Sequence, residues 1–181
     1  MSTNNFAEER QNKPFFHSEE LTLFDKWSIG IYLLMTIFVA VTYNRIDVDT
    51  APIMIIIYVG ILQLCAYFLL CGYLRNFRCY LVWFGFSMIH LVMYFVIKDD
   101  SRLQMAKANP AALLRNTFIL LLFFQLLRYA SFKMQHQELV VVSKTSKIDD
   151  FDHRKITIID KTLFFAYFAA WGALVYFSFP H

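Results

Sequence analysis

The sequence predicts an all-α polytopic membrane protein with five transmembrane helices in one bundle, and three observations carry that prediction. Of 181 residues, 58% are apolar and only 17% charged, against roughly 45–50% and about 25% in soluble domains. Twenty phenylalanines stand beside five glycines and four prolines, which excludes collagen-like, disordered and low-complexity chains. Mean hydropathy is +0.46, concentrated in five apolar stretches at 27–43, 53–74, 79–97, 111–127 and 162–179. A hydrocarbon layer about 30 Å thick needs about 20 helical residues, with roughly 17–25 tolerated. All five stretches fit.

The tail, 1–26, carries Glu8, Glu9, Glu19 and Glu20, with Asp25 close behind. It has no early apolar core, so no secretory signal is expected, and it is too acidic for a mitochondrial presequence. Ser18 can cap a helix whose N-terminus Glu19 and Glu20 complement. A helix is therefore expected to begin near Ser18, lie at the interface, and turn into the membrane at Trp27. The second span starts at Ala51-Pro52 and the fourth at Asn109-Pro110, a cap and first-turn pair. A tight Arg75-Asn76-Phe77-Arg78 turn joins the second and third spans.

The fourth span is unusual, because only twelve residues separate Arg115 from Arg128. That uncharged length is roughly 20 Å, short of the hydrocarbon core. Both arginines must snorkel, pair with acids or face the interior. Arg115 is expected to meet Asp99 or Asp100, and Arg128, beside Tyr129 and Lys133, to meet lipid phosphate. The sharper alternative is that Arg115, Asn116, Gln125 and Arg128 line a polar crevice or a subunit seam.

Between the fourth and fifth spans lies a polar insertion, 133–161. Its runs 139–144 and 155–159 are rich in β-branched residues and read as a small cytoplasmic β-hairpin. The fifth span, within 162–181, carries the pairs Ala166/Ala170 and Ala169/Ala173. This small-xxx-small spacing lets helix backbones approach closely, inside the chain or between subunits. The segment 27–132 holds the other four helices. No repeat of 20–50 residues is apparent, which disfavours a solenoid or a duplicated transporter.

Lys and Arg favour the cytoplasmic side. Five spans put twelve of the seventeen on the face with the tail, the second turn and the insertion. The N-terminus is therefore expected in the cytoplasm and the C-terminus outside. Trp27, Tyr43, Tyr73, Tyr80, Tyr129 and Tyr176 then fall near the two interfaces.

Chemistry is sparsely signalled. His90 lies mid-span, and an ionisable group at that depth is a functional candidate. Gln63 lies at similar depth in the adjacent span, so a structural Gln63–His90 hydrogen bond is the favoured reading. No metal-binding H-E-x-x-H, G-x-S-x-G or phosphate-binding glycine loop occurs. Five histidines are too few for a histidine-box di-iron site. Cys65, Cys71 and Cys79 form no C-x-x-C pair and suit buried apolar positions. Asp149, Asp150, Asp152 and His153 lack a second ligand pair and sit among Lys147, Arg154 and Lys155, so a solvated turn is the better reading.

The basic residues are mixed with acids, so nucleic-acid binding has no support, and no cofactor is implied. The expected function is a small non-catalytic membrane subunit that assembles with itself or with other membrane proteins in the lipid bilayer. The Phe- and Ile-rich composition suggests a bacterial inner membrane. A homo-oligomeric pore built on Arg115, Asn116, Gln125 and His90 is the alternative, followed by a small enzyme or a quinone or lipid binder using His90.

Overall fold

Hydrocarbon offers no hydrogen-bond partners, so each apolar stretch must satisfy its own backbone, which a helix does. A computed structural model describes residues 18–68, 70, 72–105, 109–140 and 155–178. It contains α1 (Leu23–Tyr43), α2 (Thr50–Phe68), α3 (Phe77–Ile97), α4 (Ala112–Gln135) and α5 (Ile158–Ser178). Each is long and apolar enough to cross a membrane. Among the described residues there is no strand.

The first helix does not begin near Ser18. Residues 18–21 are not helical, and the Ser18 hydroxyl accepts a 2.8 Å hydrogen bond from Arg78 Nε. Thr22 is the cap. Its side chain accepts from the Asp25 N–H, and the Asp25 carboxylate accepts from the Thr22 N–H at 2.8 Å. The physical reason lies three residues downstream, where a reciprocal box needs an acceptor. Thr22 has Asp25 there, whereas Ser18 has Leu21. The same geometry opens α5, where the Asp160 carboxylate accepts from the Thr157 N–H at 2.9 Å and Thr157 accepts from the Asp160 N–H at 3.2 Å.

The fourth span is not short. Helix α4 continues to Gln135, carrying Arg128 inside it rather than at its edge. Of the expected hairpin, residues 141–154 lie outside the described residues, as does most of the tail. Leu139 and Val140 form no strand and are buried.

Neighbouring helices run in alternating directions. Ser18 sits beside Arg78, at the start of α3, whereas Ser178 sits beside Asn116, near the start of α4. Ser18 and Ser178 thus lie at opposite ends of the bundle. Helix α4 is the hub, packed most closely on α3 and α5 and also touching α2, while α1 packs on α2. Aromatic rings bridge the wider gaps: Tyr67 of α2 stacks on Tyr167 of α5 at 4.1 Å, and Tyr32 of α1 meets Trp83 and Phe86 of α3. The outer faces display large apolar side chains such as Phe38, Ile57, Val92 and Leu126, the surface that lipid tails cover.

Candidate functional site

Polar side chains inside a lipid-embedded bundle are the natural place to look for function, because each costs free energy unless it is partnered. His90 is fully buried on α3. The hydroxyls of Tyr32 on α1 and Tyr58 on α2 lie 2.6 and 2.9 Å from its Nε2. Thr36 joins the cluster, 2.7 Å from the Tyr58 hydroxyl, while donating to the Tyr32 carbonyl at 2.8 Å. One imidazole thereby ties three helices together. Its Nδ1 is buried and makes no hydrogen bond.

Gln63 does not pair with His90. Its amide nitrogen donates to the Leu113 carbonyl and the Thr117 hydroxyl, both at 3.1 Å, and its amide oxygen accepts from Trp171 Nε1 at 2.8 Å. The two residues point into different seams, His90 toward α1 and α2, Gln63 toward α4 and α5. Asn116 donates to the Leu174 carbonyl at 3.1 Å and to Ser178 Oγ at 2.8 Å, locking α4 to α5.

Arg128 does not reach lipid phosphate either. It is 2% exposed and makes a two-pronged pair with Glu138, at 3.1 Å through Nε and 2.8 Å through Nη2. Its Nη1 donates to Gln125 at 3.0 Å and to the Leu74 carbonyl at 3.4 Å. The nearby Arg75 donates to the Leu139 carbonyl at 2.7 Å. These bonds fasten the segment after α4 onto the bundle, which accounts for the burial of Leu139.

Arg115 likewise misses its expected partners. Asp100 is taken by Arg102, two residues away, and by the Tyr43 hydroxyl at 2.9 Å. Hydrogen bonds from Arg102 hold the Asp100 carboxyl well below the usual carboxylate range. Asp99 pairs with Lys98 at 3.8 Å. Arg115 instead lies over the Tyr94 ring, 5.6 Å from its centroid, a cation–π contact. The crevice reading therefore fails on geometry: Arg115 faces α3, Asn116 faces α5, and Gln125 with Arg128 faces the opposite end of the bundle.

The alanines of α5 divide between two faces. Ala166 and Ala170 are half-buried, and Ala166 packs against the core. Ala169 and Ala173 are exposed, as is Gly172. Asp149, Asp150, Asp152, His153 and Cys71 lie outside the described residues. Among the described residues no three His, Cys, Asp or Glu side chains converge as metal ligands would.

At the centre of the bundle all five helices line a small, partly open cleft of about 40 Å³, with Tyr32, Gln63, Trp83, Thr117, Phe124 and Tyr167 among its walls. Reading by residue type did not reach this cleft, nor the roles of Tyr32, Tyr58, Thr36, Glu138 and Trp171. The two tyrosines carried a signal, since both lie well away from the span ends, where tyrosines usually gather. Comparison with protein-family models, curated proteins and solved structures returns no match.

Proposed function

We propose that this chain is a non-catalytic integral membrane subunit, an accessory or scaffold component that assembles with itself or with other membrane proteins. The observation that carries the reading is how the intramembrane polar groups are used. Gln63, Asn116 and the Arg128–Glu138 pair are engaged in bonds between parts of this chain, and His90 serves as a junction between α1, α2 and α3. Such side chains fix helix positions. The same facts count against a pore, because these groups turn toward seams of the bundle rather than toward one shared path.

We further propose a bacterial inner membrane as the site, with the Ser18 end cytoplasmic and the Ser178 end outside. The excess of Lys and Arg on the first of these ends supports that direction. The surface best suited to a partner is the outer face of α5, the least buried of the five spans. There Ala169, Gly172 and Ala173 leave room for a second backbone.

The test is the protein mass in a mild detergent, with detergent mass subtracted, together with the identity of chains that co-purify from native membranes. The expected result is a stable species heavier than 21.4 kDa that Ala169→Leu and Ala173→Leu dissociate. A single chain without partners, unchanged by those substitutions, would overturn the reading.

A further inference from the structure

We propose that Arg115 marks a binding site for one phospholipid, with the headgroup phosphate on its guanidinium and an acyl chain along the outer face of α4. Arg115 carries a charge without a counter-charge. Asp99 and Asp100, at the same end of the bundle, are committed to Lys98 and to Arg102 with Tyr43. Among the described residues no carboxylate forms an ion pair with it, and its Nε is buried without a hydrogen-bond partner. The Tyr94 ring beneath the guanidinium attracts a cation through its face but supplies no anion. An arginine in a membrane-spanning helix that finds no acid inside the protein must find its anion outside.

Its position says where that anion lies. Arg115 is the fourth residue of α4, about 4.5 Å along the axis from the first. Helical side chains lean toward the N-terminus of their helix, so this one leans out of the hydrocarbon toward the headgroup layer. Arg128, toward the other end of α4, leans inward by the same rule, and there the protein supplies Glu138.

The face it occupies says what carries the anion. Ile119, Leu122 and Leu126 follow Arg115 at helical spacing and are all exposed, so an apolar stripe runs down the bilayer directly below the half-buried arginine. A phosphodiester offers two oxygens to the planar guanidinium fork, and its acyl chain covers the stripe. Free phosphate or a soluble carboxylate has the charge but nothing to lay along these side chains. The site needs neither a partner subunit nor a particular threading direction.

The experiment is native mass spectrometry of the full chain in a mild non-ionic detergent, with added phosphatidylglycerol, diacylglycerol of the same chains, or inorganic phosphate. The wild-type chain is expected to retain one more phosphatidylglycerol than Arg115→Gln, with Arg115→Lys, a point charge without the fork, between them. Arg45→Gln, which removes an exposed cation at the same end, should match wild type, and diacylglycerol retention should be equal in all four chains. Equal phosphatidylglycerol retention with and without Arg115 would overturn the proposal, as would a parallel loss of diacylglycerol. An Arg115-dependent adduct of inorganic phosphate without an Arg115-dependent lipid would assign the group to free anions instead. An Arg115→Gln chain that cannot fold would contradict the lack of internal bonding on which the site rests.

Discussion

At the scale of single residues, the most consequential arrangement is Arg128 with Glu138. An ion pair taken out of water loses solvation that its mutual attraction only partly restores, yet removing one partner alone is far worse. Glu138→Gln keeps the shape and strips the guanidinium of the carboxylate that grips it at 2.8 and 3.1 Å. That single change is expected to cost about 3–5 kcal/mol, read as a lower unfolding midpoint in detergent. Arg128→Met added to Glu138→Gln should recover part of the loss, because no buried charge is then left over. A double variant less stable than Glu138→Gln alone would contradict this account.

That His90 and Gln63 lie within apolar helices is legible in the sequence, but the direction in which each faces is not. His90 and Gln63 were rightly placed inside and wrongly paired. Their helices are apolar nearly all the way round, so no contrast between faces records how each is turned. Arg128 was misplaced for a related reason. Counting uncharged residues assumes that charge marks the end of a span, and Glu138 let the helix carry its charge inward.

At the scale of elements, the helix starts explain what was read correctly and what was not. Thr22-Leu-Phe-Asp25 and Thr157-Ile-Ile-Asp160 form matching boxes, and each aspartate is almost completely buried. An N-cap of this kind contributes about 1 kcal/mol. Thr22→Val and Thr157→Val are each expected to lower stability by about that amount, and to add when combined, since they act on separate helices. Amide hydrogen exchange at the first turns of α1 and α5 would check it, with faster exchange confined to the helix whose cap is lost. Ser18 misled because a capping hydroxyl is common in sequences. The acceptor three residues on is the selective half of the signal. Span count, by contrast, follows from length and apolarity alone and is legible for all five helices, whereas the ends are not: the fourth runs eight residues past the expected end at Leu127.

At the scale of the whole molecule, the alternating directions of five helices leave Ser18 and Ser178 at opposite ends. If the Ser18 end is cytoplasmic, as the distribution of Lys and Arg supports, a tag before Met1 should be reached by an impermeant reagent only after spheroplasts are permeabilised. A tag after His181 should react in intact ones. Both tags reacting from one side would refute the threading. The central cleft had no counterpart in the sequence, since a void is a property of how five helices meet and no single stretch encodes it.

The hub position of α4 has a consequence for biogenesis. It is the least apolar of the five spans and leaves the ribosome before α5, which alone supplies the Ser178 hydroxyl and Leu174 carbonyl that accept from the Asn116 amide nitrogen. Until α5 is synthesised, the amide nitrogen of Asn116, near one end of the bundle, faces an empty berth. Insertion of α5 is therefore also the step that commits α4 to its final position, and a nascent protein halted before α5 would be a natural client for membrane quality control.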